Sequence, residues 1–172
     1  YQKLDHFNGY YIRQLPVDEL ARRVLPFLER AGYRVEWSRL LAIVPLIQER
    51  ITRLSDAVEV ADFFFLDELR PYDPAELVPP KGDAALAEAV LRRARQVLAE
   101  VEFRREALES ALRAEAEAMG VKAGVFFQPV RVACCGRKAA PPLFETLEVL
   151  GRETCLKRIG RALELLGKPT AG

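Results

Sequence analysis

Apolar residues recur along the chain at the three- and four-residue spacing of helices that bury one face. The first such stripe consists of Leu20, Val24, Phe27 and Leu28. It begins after Pro16 and stops at Gly32, which are typical helix boundaries. Pro26 lies inside the stripe, and because proline lacks the N–H that continues helical bonding, we expect a kink or a break there.

Similar spacing predicts a second helix over residues 37–51, again with an internal proline, Pro45. Asp56 and Glu59 are placed like the two members of a capping box. The run of three phenylalanines at residues 63–65 is interpreted as core rather than as a platform for stacked bases.

Residues 70–82 contain four prolines and end in Gly82. Such a segment cannot continue a helix, and it predicts a boundary between two subdomains, residues 1–82 and residues 83–172. Asp83 then caps a helix over residues 84–100. A further helix over residues 103–119 ends at Gly120.

Residues 125–133 are ambiguous, because their β-branched and aromatic side chains suit both a short strand and a buried helical segment. Leucine and isoleucine spacing then predicts two closing helices separated by Gly151. These patterns together predict an all-α protein made of two small helical subdomains.

The composition fits a folded domain, since 50% of the 172 residues are apolar and 30% are charged. No apolar run approaches the roughly 20 residues that cross a bilayer, and no signal peptide is recognised, so we expect no membrane partner. The three cysteines lack the spacing of a zinc site and indicate a reducing compartment, the cytoplasm. The chain does not begin with Met, and we expect it to be part of a longer polypeptide.

Charge is unevenly distributed although the net charge is only +1. Residues 1–54 carry 9 basic and 6 acidic side chains, residues 55–119 carry 8 and 15, and residues 120–172 carry 9 and 4. Two basic ends can approach an anionic partner together if the fold brings them side by side. Ordinary solvated helix faces are the alternative, and charge alone does not decide between them.

The motifs of common active sites are absent. The sequence has no glycine-rich phosphate loop and no Gly-x-Ser-x-Gly elbow. Its single histidine, His6, excludes a histidine-rich metal site, and its carboxylates lie on charged helix surfaces. We therefore expect no catalytic residue and no metal site in this chain.

Two parts of the chain, residues 3–13 and residues 120–153, carry a more specific pattern. Residues 3–13 read KLDHFNGYYIR; later come GVKAG at 120–124, QPVRVA at 128–133 and PLFETLEVLGRE at 142–153. Together they resemble the C-terminal half of bacterial-type glutamyl-tRNA synthetases, a class I family. Either motif alone is moderately specific, but both occur in the family's order and spacing, and the resemblance covers essentially the whole chain.

The resemblance implies an α-helical cage of two subdomains, with residues 123–134 mainly helical. It implies that the chain is the anticodon-binding region of a glutamate–tRNA ligase, monomeric and without a cofactor of its own. Its partners are then the anticodon stem–loop of tRNA(Glu) and the catalytic half of the same polypeptide. The family's ATP-binding signatures do not occur here, so ATP and Mg²⁺ are expected in that catalytic half.

An anticodon presents unstacked bases, which proteins recognise with planar donors, stacking surfaces and phosphate partners. Arg50 matches the position at which the family reads the third anticodon base. Family members that charge only glutamate tRNA have arginine at this position. The resemblance therefore implies an enzyme of the discriminating type, which does not charge glutamine tRNA. Arg53 is a rival for this role, and a surface ion pair is the alternative role for Arg50.

Arg131 matches a family residue that faces the first two anticodon bases. Gln128, one turn before it, is suited to bond a base edge or a ribose. Arg113, on the helix before Gly120, matches a family position near the same pocket. Lys122 is either a phosphate contact or a simple helix-end charge.

Three residues match the loop and helix start beneath the first anticodon base: Ala140, Pro141 and Leu143. Leu143 is expected to give an apolar floor, whereas Ala140 stands where the family often has a hydroxyl residue and so lacks one hydrogen bond. Lys3 is a candidate contact to the RNA backbone. His6 replaces a larger aromatic residue of the family, and it is either a weak stacking partner or a plain surface histidine.

A helical protein–protein module without RNA binding is the competing hypothesis. In such a module the basic residues would line no common surface. Salt-dependent RNA binding distinguishes the two, because a module of this kind would have no RNA binding for salt to weaken.

Overall fold

The computed structural model describes residues 8–167 of the chain. Within these residues the secondary structure is helical and no strand is present, so the all-α prediction is confirmed. The chain divides into two compact units, Tyr1–Asp67 and Glu68–Gly172. No helix in residues 8–167 is long and apolar enough to cross a membrane.

The division lies before the proline-rich segment, whereas the sequence placed it after that segment, at residue 82. A 3-10 turn within the segment, Pro74–Leu77, packs against helices of the second unit, and Leu77 is fully buried there. The prolines prevent an α-helix, but they do not prevent the segment from contributing to a core. The segment therefore belongs with the helices that follow it.

The first unit contains α1 (Gly9–Gln14), α2 (Val17–Arg30), α3 (Trp37–Ile47) and α4 (Asp56–Val60). Short 3-10 turns follow α3 and α4, at Gln48–Arg50 and Asp62–Phe64. α2 packs against both α3 and α4. The fully buried core between them includes Leu20, Val24, Leu28, Leu40, Ile43, Val44 and Phe63.

Pro26 and Pro45 lie inside α2 and α3, and neither helix breaks at its proline. α2 continues through Pro26 without a break, since the apolar residues on either side, Val24 and Leu28, are fully buried. Their burial outweighs the one backbone hydrogen bond that a proline removes. α3 contains Pro45 but ends at Ile47 rather than at residue 51, because the last residues tighten into a 3-10 turn.

The predicted capping box at Asp56 and Glu59 is wrong. Oδ2 of Asp56 instead accepts hydrogen bonds from the backbone N–H of Thr52 (3.0 Å), the Thr52 hydroxyl (3.1 Å) and the backbone N–H of Arg53 (2.9 Å). Burial raises the pKa of this carboxyl, but the hydrogen bonds and the charge of Arg53 outweigh it and lower the pKa below 3.8. Asp56 thus closes the turn before α4.

The second unit contains α5 (Ala84–Glu100), α6 (Arg105–Met119), α7 (Ala123–Cys135), α8 (Leu143–Leu150) and α9 (Arg152–Gly167). The predicted cap of α5 is confirmed, since Oδ1 of Asp83 accepts from the backbone N–H of Leu86 at 2.8 Å. Gly120 ends α6 with a positive φ of 70°, a conformation that favours glycine.

α7 is the centre of the second unit. It packs against α5, α6, α8, α9 and the Pro74–Leu77 turn, and residues 126, 127, 129, 130 and 132–135 are buried. A helix that is surrounded by neighbours is apolar on nearly all sides, which is why its sequence shows no clear helical period. The ambiguous residues 125–133 are therefore helical, as the resemblance implied.

Candidate nucleic-acid interface

Arg50 ends a 3-10 turn that is anchored on both sides. Ile47 before it and Ile51 after it are fully buried. Nε2 of Gln48 donates to two backbone carbonyls at the C-terminal end of α1, at 2.8 and 2.9 Å. These contacts fix the backbone of the turn and leave the Arg50 side chain exposed.

The side chain of Arg50 forms no hydrogen bond or ion pair with the residues that the structure describes. Arg53 differs, because it lies close enough to the Asp56 carboxylate to help lower the pKa of that group. The surface ion pair considered for Arg50 is thus not found within residues 8–167. Neither arginine forms an ion pair with a described carboxylate, so Arg53 stays the rival of Arg50 for this role.

Arg131 lies on α7, one turn after Phe127 and on the same face of the helix. Its side chain is half-buried, and its Nε is buried without a hydrogen-bond partner among the described residues. A buried donor that lacks an acceptor costs on the order of 1–3 kcal/mol. Arg131 thus places a partly exposed positive charge on α7, with an Nε that no described acceptor stabilises.

Arg113 stands on α6 and reaches across to α7. Its Nε donates to Oε2 of Glu109 at 2.9 Å, and its Cζ lies 5.3 Å from the centre of the Phe127 ring. Phe127 in turn meets Phe144 of α8 edge-on, with ring centres 5.2 Å apart. These contacts bring Arg113, the Phe127–Arg131 face of α7 and the start of α8 onto one surface of the second unit.

Gln128 forms hydrogen bonds within the second unit. Its Nε2 donates to the backbone carbonyls of Glu76 (3.2 Å) and Val78 (3.4 Å). Both carbonyls belong to the proline-rich segment. Because proline has no backbone N–H, this segment has fewer donors of its own, and its carbonyls need donors from other parts of the chain. The Nε2 group of Gln128 therefore anchors this segment to α7, and the expected contact with a base edge or a ribose remains a prediction.

The residues before α8 lie mostly below the surface. Pro141 is buried, Ala140 is half-buried, and Leu143 is only 3% exposed. Leu143 thus offers little area to a base, and the apolar floor expected there remains a prediction.

Lys122 is exposed at the N-terminal end of α7 and forms no ion pair with described residues. A cation at this end of a helix gains nothing from the helix dipole. This weakens the interpretation of Lys122 as a stabilising helix-end charge. Lys3 and His6 lie outside the described residues, so their roles remain predictions.

Two residues of the Arg113 surface were not assigned to it from the sequence. Glu109 was interpreted as one of many solvated carboxylates, although its position four residues before Arg113 is the favoured spacing for an ion pair. Phe127 lies among residues 125–133, whose side chains suit both a short strand and a buried helical segment. No sequence signal shows that its ring lies beneath the Arg113 guanidinium, because the contact joins two helices.

Comparison with known proteins points to one family. Residues 19–163 match the family model described as the anticodon binding domain. The chain is 57% identical over 159 residues to a glutamate–tRNA ligase of Solibacter usitatus, covering 92% of this chain and 33% of that protein. It is 42% identical over 174 residues to a glutamate–tRNA ligase of Chloroflexus aurantiacus, covering 96% of this chain and 35% of that protein. The chain thus spans about a third of the length of these relatives.

Solved structures show the same fold. A glutamate tRNA ligase from Elizabethkingia meningosepticum superposes with a TM-score of 0.81 at 22% identity, covering 92% of this chain and 31% of that one. A glutamate–tRNA synthetase from Elizabethkingia anophelis superposes with a TM-score of 0.76 at 22% identity, covering 91% of this chain and 30% of that one. With its family match over residues 19–163, this helical chain belongs to the anticodon binding domain family.

Proposed function

We propose that the chain recognises the anticodon stem–loop of tRNA(Glu), as part of a glutamate–tRNA ligase that joins glutamate to this tRNA. The observation that carries the proposal is Arg113, whose side chain is 54% exposed and whose terminal nitrogens form no hydrogen bond with the described residues. The half-buried Arg131 lies on the same surface, and the exposed Arg50 of the first unit lacks a described partner. Arginine forks of this kind bind base edges and phosphates.

The arginines are proposed to divide the recognition between them. Arg50 reads the third anticodon base, and an arginine there makes the protein the discriminating type, which rejects glutamine tRNA. Arg131 and Arg113 contact the first two anticodon nucleotides. Lys122 and Lys3 contact phosphates, which add affinity but no base preference.

In this role the chain acts as one part of a longer protein. ATP and Mg²⁺ chemistry belongs to the part of the relatives that this chain does not span. The catalytic half of the same polypeptide is then the second partner, and the protein acts as a monomer in the cytoplasm. No residue of this chain is given a catalytic role.

The proposal is tested by titrating the chain with a labelled hairpin that has the anticodon stem–loop of glutamate tRNA. A second hairpin, with only the third anticodon base changed, measures discrimination. Wild type is expected to prefer the first hairpin, and Arg50→Gln is expected to lose that preference. Loss of a good bidentate base contact should weaken binding by on the order of 1–3 kcal/mol, or roughly 5- to 150-fold.

Arg34 provides a matched control, since it is an exposed arginine of the same unit without a described hydrogen bond or ion pair. Arg34→Gln removes the same charge and is expected to leave the base preference intact. Equal binding of both hairpins by wild type would contradict the assignment of Arg50. Binding of neither hairpin at low salt would contradict RNA recognition by this chain and favour a protein–protein module.

Lys122→Gln tests the proposed phosphate contact. It is expected to weaken binding to both hairpins equally and to reduce the slope of log affinity against log salt by about 0.7, the value for one phosphate of a single strand. An unchanged slope would leave Lys122 as a surface charge without a role in binding.

A further inference from the structure

We propose that Glu109 and Phe127 are positioning residues that hold the Arg113 guanidinium in the orientation in which it meets a nucleotide. Glu109, Phe127 and Arg113 together form the Arg113 clamp. The proposal rests on RNA recognition by this surface, and it adds a role for two residues that neither the family resemblance nor the comparisons assign.

The clamp fixes one edge of the guanidinium. Glu109 lies four residues before Arg113 on α6, and its Oε2 accepts from Nε at 2.9 Å. No hydrogen bond of the Arg113 Nη atoms with described residues is found. The two terminal nitrogens, which form the fork suited to paired acceptors, are thus left for a ligand.

The clamp also supports one face of the guanidinium. Cζ of Arg113 lies 5.3 Å from the centre of the Phe127 ring, within the range of a cation–π contact. The ring is held from two other sides, since it meets Phe126 and Phe144 edge-on at 6.4 and 5.2 Å. Phe127 is only 8% exposed, so it cannot itself be the stacking partner of a base. With 54% of the Arg113 side chain exposed, a nucleotide can reach the fork.

An ordinary surface pair of the same spacing looks different. On α5, Glu88 Oε1 accepts from both Nε (3.0 Å) and Nη2 (2.7 Å) of Arg92. That arrangement engages a terminal nitrogen of the Arg92 fork, and no ring contact of Arg92 is found within the described residues. The Glu109–Arg113 pair instead engages only Nε and lies against an aromatic ring. This arrangement limits rotation of the guanidinium while leaving the fork unoccupied.

The negative charge of Glu109 affects RNA affinity in a direction that can be tested. A carboxylate at an RNA-binding surface repels phosphates, so its removal alone should strengthen binding, most clearly at low salt. Removal of a positioning carboxylate has the opposite effect. The released arginine must then be ordered when the RNA binds, and the entropy lost in this ordering weakens binding. The two roles of Glu109 therefore predict changes of opposite direction.

The test compares Glu109→Gln with wild type, with the anticodon hairpin as the probe. The proposal expects severalfold weaker binding at low salt despite the lost negative charge. Glu88→Gln is the matched control, because it breaks an exposed Glu–Arg pair of the same spacing on another helix; it is expected to bind unchanged or slightly more tightly. Unchanged circular dichroism and melting temperature would show that the variants remain folded.

A double-mutant cycle shows whether Glu109 acts through Arg113. In an Arg113→Ala background, Glu109→Gln is expected to lose its weakening effect, because no guanidinium remains to be positioned. Tighter binding by Glu109→Gln in the otherwise wild-type chain would overturn the proposal, and so would an equal weakening with and without Arg113. These outcomes presuppose that wild type binds the hairpin, so failure of RNA recognition is seen separately in the wild-type titration.

Discussion

At the residue scale, arginines that look alike in the sequence have different environments. Arg158 is 5% exposed and donates from Nη1 to the Cys134 carbonyl at 2.7 Å, so it helps to hold α9 against α7. Arg113 is exposed, paired and stacked, whereas Arg131 is half-buried on α7. The role of a guanidinium in recognition depends on its surroundings, which the residue type alone does not reveal.

Asp56 gives a prediction at the same scale. Asp56→Ala removes the acceptor of three hydrogen bonds and is expected to lower the free energy of unfolding by about 1 kcal/mol, as for a lost cap. Because folding lowers the pKa of Asp56, its stabilisation is complete above the ordinary value of 3.8 and is lost as the pH falls through the lower folded value. Urea denaturation of both proteins at neutral and at strongly acidic pH measures this.

Asp67→Ala is the control, since Asp67 is exposed and has no described hydrogen bond. It is expected to leave the free energy of unfolding unchanged within error. A difference between wild type and Asp56→Ala that stays the same into strong acid would contradict the role given to the ionised carboxylate.

At the scale of elements, α7 shows burial overriding local propensity. Its valines and phenylalanines favour strands, and Pro129 is unfavourable inside a helix. Nearly every side of the helix is covered by a neighbour, and burying one such side chain is worth roughly 1.5–3 kcal/mol. The summed burial exceeds the small differences in propensity, so the surroundings select the helix.

Two glycines near the start of α7 give a prediction with an internal control. An added Cβ meets nothing within 4 Å at either Gly120 or Gly124, but only Gly120 has a positive φ, 70°. Gly120→Ala is expected to lower the free energy of unfolding by about 1–2 kcal/mol through backbone strain. Gly124→Ala, inside the helix, is expected to be neutral or to stabilise by up to about 1 kcal/mol. Equal effects in urea denaturation would contradict the assignment of strain to Gly120.

At the scale of the whole molecule, the division into units depends on contacts between distant segments. The prolines of residues 70–82 predicted a linker, yet Leu77 is fully buried and Gln128 binds the backbone on both sides of it. Composition reports that a segment is not an α-helix, but it does not report what the segment packs against. The predicted boundary at residue 82 therefore lies 15 residues after Asp67, where the first compact unit ends.

The cysteines give a prediction at this scale, because their reactivity reports unfolding. All three thiols are buried, with at most 1% exposed. The hydrogen bond with Cys155, together with burial, raises the pKa of Cys134, and burial raises the pKa of Cys135. Since the thiolate is the reactive form, a disulfide reagent is expected to label the native protein only as fast as it unfolds.

Ala42→Cys is the positive control, because residue 42 is exposed on α3. Its thiol is expected to react at once in native buffer, while the native three react only when urea unfolds the second unit. Immediate labelling of a native cysteine in the wild-type protein would show that the core around α7 opens readily.

The sequence by itself determined the all-α class, most helix positions and the cap at Asp83, because these depend on local spacing and local hydrogen bonds. Its two motifs also identified the family that the match over residues 19–163 then established. Only the tertiary structure decided that Gln128 anchors a proline-rich segment, that Asp56 closes a turn rather than a capping box, and that Phe127 underlies Arg113. A sequence contains many possible pairs of donors and acceptors, and only packing decides which of them meet.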